Sequence, residues 1–287
     1  ERIKFSAMLI FLSMWLLIVY VPVTHWVWGG GILSSWGTMD FAGGIVVHAT
    51  AGTAALVTAL TLGKRRGFPK SITPPHSPIL TMIGASMLWI GWFGFNAGSA
   101  LGANGGAGMA MLVTHISAAT ASLVWMFIEW KRFGKPSLIG IVTGMVAGLA
   151  TVTPASGYIG VPGGLILGFF GGLLCYLAVD FIRGKLQIDD SLDVFAVHGV
   201  GGILGTLLVA FLATSTFSGL GLAEGQTAVT QFFVQLKAVI LTVVWTSVFT
   251  YLILKITSFI VPLRVEEQEE IEGLDLRSHG EKGYHSD

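Results

Sequence analysis

Eight apolar runs of about 20 residues dominate this 287-residue sequence, at 5–23, 41–62, 77–101, 108–130, 137–155, 163–182, 194–214 and 232–262. A run of that length crosses a bilayer as a helix, because a helix satisfies its own backbone amides where no water can. The expected fold class is an all-α integral membrane protein, a polytopic helical bundle. Composition agrees: 53% of residues are hydrophobic and 11% charged, with a mean hydropathy of +0.76, against roughly 25% charged in ordinary soluble domains. Net charge is zero, so there is no basic excess to neutralise the phosphates of nucleic acid. The sequence divides into a transmembrane domain over 1–262 and a C-terminal tail over 263–287. No small-residue cleavage site follows the first run, which separates it from a signal peptide. Because the chain opens on Glu1-Arg2-Ile3-Lys4 rather than on methionine, an upstream part is expected.

The cations fall on alternate sides. Arg2 and Lys4 precede the first run, and Lys64, Arg65, Arg66 and Lys70 follow the second. Lys131, Arg132 and Lys135 follow the fourth, Arg183 and Lys185 the sixth, and Arg264, Arg277 and Lys282 the eighth. The connections 24–40, 102–107, 156–162 and 215–231 hold no lysine or arginine. Positive loops stay on the cytoplasmic side, so the pattern predicts a multi-pass protein of the cell (inner or plasma) membrane with both ends of this chain in the cytoplasm.

Glycine recurs at close-packing intervals: Gly140, Gly144 and Gly148; Gly164, Gly168 and Gly172; Gly201 and Gly205. Small residues four apart let helix backbones approach in lipid, so a tightly packed bundle is expected. The single cysteine, Cys175, sits in an apolar run and reads as a buried, inert thiol.

Two histidines stand inside apolar helices that carry almost nothing else ionisable. His48 follows Asp40-Phe-Ala-Gly-Gly, and His198 lies in Asp193-Val-Phe-Ala-Val-His198. A titratable ring in hydrocarbon marks a functional site unless it is a satisfied packing residue. The loop alternation makes the two helices run in opposite directions, as an inverted repeat would leave them, with a site near the bilayer midplane. His115 has no matching partner and reads as a packing histidine. Asp189 and Asp190, in the loop ahead of Asp193, read as solvated.

The strings Trp28-Gly-Gly-Gly, Asp40-Phe-Ala-Gly-Gly with His48, Gly91-Trp-Phe-Gly-Phe-Asn-Ala-Gly-Ser99, Val152-Thr-Pro-Ala-Ser-Gly-Tyr-Ile-Gly160 and Asp193-Val-Phe-Ala-Val-His198 together resemble the ammonium transporter (Amt/Mep/Rh) family, in its bacterial Amt branch. The likeness runs through the chain to Glu272–Glu281. It implies an inverted-repeat fold of eleven helices, of which about eight are present. The transporter is then N-terminally truncated, beginning before the fourth helix and lacking one outer-gate phenylalanine.

The resemblance implies that ammonium is recruited outside, deprotonated, and conducted as ammonia through an apolar pore with a twin-histidine proton relay. His48 and His198 become the pore pair, Trp28 and Ser99 the recruitment site, Phe95 the retained gate and Trp92 a pore-wall residue. Asp40 and Asp193 become structural or electrostatic supports, each as a helix N-cap. On sequence alone Trp28 reads better as an interfacial belt residue and Phe95 as ordinary packing. The resemblance also implies a homotrimer and a PII-like signalling protein at the cytoplasmic face. No cofactor, metal or catalytic residue is expected. The alternatives are an ammonium sensor, a Rhesus-type ammonia gas channel, and an intramembrane metalloenzyme, which no HExxH pattern supports.

Overall fold

A computed structural model describes residues 1–71 and 74–284. Helix α1 (Phe5–Trp15) runs through a π-helical turn at Leu16–Tyr20 into α2 (Val21–Trp28), and a short α3 (Ile32–Ser35) follows the glycines at 29–31. Then come α4 (Gly44–Leu62), α5 (Pro78–Gly98), α6 (Gly105–Phe133), α7 (Leu138–Val152), α8 (Val161–Lys185), α9 (Phe195–Leu212), α10 (Ala228–Ile260) and α11 (Glu267–Glu272). Among the described residues, seven segments are long and apolar enough to cross a membrane, and α7 is a shorter apolar helix. Polar caps set the starts. Ser77, Asn104 and Ser137 accept the amide protons of Leu80, Ala107 and Gly140, and Thr227 and Thr230 cap α10 reciprocally.

The glycine stripes act within the chain. A Cβ on Gly144 would lie 2.6 Å from that of Trp125, and one on Gly168 would lie 2.6 Å from the Ser117 carbonyl. Both stripes therefore press against α6, which α7 and α8 flank. Ser117 closes the contact with a 2.8 Å bond to the Gly148 carbonyl. Gly201 and Gly205 of α9 pack on Thr151 of α7 in the same way.

Helices α4 and α9 cross, the opening turns of each lying against the body of the other. Both open on π-helical turns, Gly44–Ala49 and Phe195–Gly199, which carry His48 and His198. The glycine four residues past each histidine makes the crossing possible. Gly52 sits against the Gly199 backbone, and Gly202 against His48 Cβ and the Gly44 carbonyl.

The cation-rich end is held by a clasp. Residues Arg2–Lys4 pair with Leu263–Val265 as a short antiparallel bridge, with bonds of 2.8 Å from Lys4 N to the Leu263 carbonyl and 3.0 Å from Val265 N to the Arg2 carbonyl. Arg264 reaches the Leu62 carbonyl at 3.0 Å and Glu270 at 2.8 Å, docking the tail under α4. Asp189 and Asp190 are buried rather than solvated as the sequence suggested. Asp189 takes the Arg65 guanidinium at 2.8 and 3.0 Å and its backbone amide at 2.6 Å, and Arg2 donates to the Asp189 carbonyl at 2.7 Å. Paired charges tolerate burial where single ones do not.

Candidate pore and ammonium site

His48 and His198 meet where α4 and α9 cross, with Nδ1 atoms 3.2 Å apart. His48 is 2% exposed, its Nε2 has no hydrogen-bond partner, and the His198 ring is part-exposed. A hydrogen bond between two Nδ1 atoms holds one proton, so the donating ring's Nε2 is bare while the accepting ring carries its own proton on Nε2. The pair thus presents one donor and one acceptor to the space around it.

Helix α5 packs beside the pair. The Trp92 ring stacks on His48 with centroids 5.3 Å apart, and near His198 at 6.4 Å. Its Nε1 donates to Thr153 Oγ1 at 2.9 Å, which fixes the indole. Phe95, about one turn further along α5, stands 6.4 Å from the His48 ring and is 41% exposed. Ser99, a turn beyond, donates to the Phe95 carbonyl at 2.8 Å, leaving its oxygen lone pairs free to accept an N–H. One face of α5 therefore presents a hydroxyl, a phenyl and an indole in order towards the histidines.

Trp28 is 44% exposed and donates from Nε1 to the Asp40 carbonyl at 2.8 Å. The structure brings Trp28 to the Asp40 loop, while Ser99 stays with α5. Asp40 caps α4: one carboxylate accepts from the amides of Gly43, Gly44, Ile45 and Val46 at 2.9, 2.6, 2.8 and 3.2 Å.

The cap of the other histidine helix needs a correction. Asp193 holds no amide of α9 with its side chain; Oδ2 meets Arg183 at 3.3 Å, and the residue sits at φ 53°. Asp190 is the cap, accepting from Phe195 N at 2.7 Å. At φ 53° Asp193 turns the chain, and its carboxylate is engaged by Arg183 while Asp190 takes the helix start. Burial pushes the Asp193 carboxyl up to about 6, against the pull of Arg183. The sequence offered one signal for Asp190: it precedes His198 by the same eight residues that separate Asp40 from His48.

Sequence reading passed over Gln235 entirely. It is fully buried in α10, and its amide donates to the Met39 carbonyl at 2.7 Å and the Thr206 carbonyl at 2.9 Å. Its oxygen accepts from Met39 N at 2.8 Å and Gln231 Nε2 at 3.2 Å. One side chain thus joins the residue before Asp40 to the body of α9. Cys175 is buried as expected. His115 is exposed rather than packed inside, its ring stacked on Trp89 at 5.2 Å.

The sequence pattern described as the Ammonium Transporter Family matches residues 1–284. The chain belongs to the ammonium transporter family. Family relatives include the ammonium transporter Amt1 of Archaeoglobus fulgidus, 48% identical over 287 residues, covering 99% of this chain and 72% of the relative. The ammonium transporter of Bacillus subtilis is 42% identical, covering 99% and 70%. Among solved structures, a protein named Sensor Amt Protein superposes with a TM-score of 0.89 at 31% identity, over 97% of this chain and 71% of that one. Saccharomyces cerevisiae Mep2 gives 0.83 at 35% identity, over 93% and 62%. This chain is therefore an all-helical, multi-pass membrane protein of the Amt/Mep fold, and it spans 62% to 72% of the length of these four relatives.

Proposed function

We propose that this protein carries ammonium across the cell membrane by taking it up as the cation, removing a proton and passing ammonia along an apolar lumen beside His48 and His198. The 3.2 Å Nδ1–Nδ1 contact carries the reading. An ammonium ion loses its hydration in an apolar passage, and that loss favours the neutral species. The π faces of Trp28 and Phe95 attract the cation, and the Ser99 oxygen accepts one of its N–H groups. Phe95 then interrupts the water column at the histidine level. Rings that share a proton relay one: a proton arriving at the bare Nε2 of one ring drives the shared proton onto the other ring's Nδ1, which releases its own Nε2 proton. One proton moves through the pair and the bond between the rings reverses.

Asp40 and Asp190 hold the two histidine helices in register. The positive-inside pattern places the tail and the clasp in the cytoplasm, where the tail at 263–287 is the surface for a PII-like regulator. The assembly is a homotrimer with a separate lumen in each subunit, and native mass spectrometry of the full-length protein reads the count.

The deciding experiment is ammonium-evoked current in liposomes containing full-length protein, with and without His48→Leu and His198→Leu together. Loss of current or of selectivity against potassium in the double variant is expected; full retention of both overturns the relay. The likeness to the Sensor Amt Protein favours one second reading, an ammonium receptor. That reading requires saturable ammonium binding with no flux from the unmodified protein.

A further inference from the structure

Helix α10 carries a cation on its exposed side. Val229, Phe233, Ile240, Val244 and Val248 form a continuous exposed stripe, while Gln231, Gln235, Ala238, Thr242 and Thr246 are buried against the bundle. Lys237 lies in the middle of the exposed stripe and is itself exposed. Its Nζ stands 3.6 Å from the centroid of the Trp36 ring and pairs with no carboxylate among the described residues. A lysine in this setting extends its stem over apolar surface and carries its charge to the headgroup level.

A second pair fixes the depth. Lys255 Nζ stands 5.6 Å from the Tyr251 ring centroid on the same helix, and residues 238–254 hold no charged side chain. The two lysines are 18 residues apart, about 27 Å along a helix axis, close to the roughly 30 Å thickness of a bilayer's hydrocarbon core. Lys237 and Lys255 therefore bracket the apolar slab, each beside an aromatic ring of the kind that settles at an interface. A protein cover for this stripe would have to bring a carboxylate to the Lys237 ammonium, whereas a bilayer supplies the anion at the depth the two lysines mark.

We propose that Lys237 and Trp36 form a binding site for the phosphate of an anionic phospholipid in the outer leaflet, with the lipid tails lying along the Ile240–Val248 part of the stripe. The ammonium pairs with the phosphate on one side while the indole face stays on the other. The position links this lipid to the outer loop. Two residues on the buried side of the same helical turns, Gln231 and Gln235, hold that loop at the Gly37 carbonyl and at both backbone groups of Met39. A lipid seated on Lys237 thus steadies the segment that presents Asp40.

The test titrates phosphatidylglycerol against full-length protein in mild detergent and counts bound lipids by native mass spectrometry. Wild type, Lys237→Met and Lys237→Arg are compared, with phosphatidylcholine and inorganic phosphate as further probes. Lys237→Met should lower phosphatidylglycerol affinity about fivefold, as expected for one cation near an anionic surface, leave phosphatidylcholine binding unchanged and keep the oligomeric state. Lys237→Arg should retain binding. Equal phosphatidylglycerol binding by wild type and Lys237→Met overturns the site. Full displacement of the lipid by millimolar inorganic phosphate overturns the lipid assignment in favour of a free-anion site.

Discussion

Asp40 and Asp190 stand in the same relation to His48 and His198. Each precedes its histidine by eight residues, and each accepts through Oδ2 the amide proton of the residue five positions on. Each histidine then lies on a π-helical turn, followed four residues later by a glycine packed on the opposite helix. Two helices approaching from opposite sides are thus started, turned and crossed by the same devices. The 3.2 Å imidazole contact is the point where the two copies meet.

This equivalence separates Asp190 from Asp193. Asp190→Ala removes the cap of α9 and should cost about 0.5–2 kcal/mol, together with a large loss of transport. Asp193→Ala breaks a 3.3 Å pair with a part-exposed arginine but also removes a carboxylate that burial disfavours, so stability should stay within about 1 kcal/mol of the wild type. Thermal unfolding in detergent and ammonium uptake, measured on both variants, check this ordering. Equal losses would give the cap back to Asp193.

The spans were legible because hydrocarbon enforces them: seven of the eight apolar runs are helices within four residues of their expected bounds, while the first, expected at 5–23, runs on to Trp28 and through the short helix to Ser35. The histidine pair was legible for a related reason, since an imidazole without a function is rare at that depth. Asp190 was hidden by its neighbours. Three aspartates fall within five positions, and only backbone geometry shows that Asp193 turns the chain at φ 53° while Asp190 caps. The burial of Asp189 was equally hidden, because its partner Arg65 lies 124 positions away. Gln235 gave no local signal, as its bonds reach residues 196 and 29 positions off.

Trp28 has two separable attachments, an exposed π face and an N–H bonded to the Asp40 carbonyl at 2.8 Å. Trp28→Leu removes both, and the concentration for half-maximal transport should rise by the equivalent of roughly 0.5–2 kcal/mol. Trp28→Phe keeps a weaker π face and loses only the bond to the loop, so its shift should be smaller. Uptake against ammonium concentration distinguishes them. If neither variant moves the half-maximal point, Trp28 belongs to the interfacial belt alone.

The clasp sets an acid limit. Burial alone would raise the Asp189 carboxyl, but the hydrogen bonds and charge of Arg65, with the charge of Arg2, outweigh it and hold the group below the ordinary value of 3.8. A depressed folded pKa gives stability that is complete above the unfolded value and lost as pH falls through the folded one. Asp193 has the opposite sign: raised to about 6, it weakens the fold when ionised, and that cost disappears as pH falls through about 6 towards the unfolded value. Melting temperature in detergent should therefore rise slightly from pH 7 to 5 and fall steeply below about pH 4. Asp193→Asn should abolish the rise and Asp189→Asn should flatten the fall. Unchanged profiles in both variants would remove these two groups from the account.

Gln235 should prove the most costly of the polar side chains inside the bundle. Leucine is close to it in size and apolar, so Gln235→Leu keeps the packing and deletes four hydrogen bonds at once. The Thr206 carbonyl lies within α9 and can keep its helical partner, whereas Met39 loses the partners of both its N–H and its carbonyl. A buried backbone group left unpaired costs about 1–3 kcal/mol, so the loss should be of order 2–4 kcal/mol. The effect on transport should follow the geometry. Met39 directly precedes Asp40, so a loosened loop should raise the ammonium concentration for half-maximal transport, through weaker presentation of Trp28 and Asp40. The histidine contact is made by α4 and α9 themselves, so selectivity against potassium should remain. Melting temperature, half-maximal concentration and selectivity measured on one preparation decide the matter. A variant that melts like the wild type would show that water replaces the amide. One that loses selectivity while keeping its affinity would place the role of Gln235 at the histidines instead of the loop.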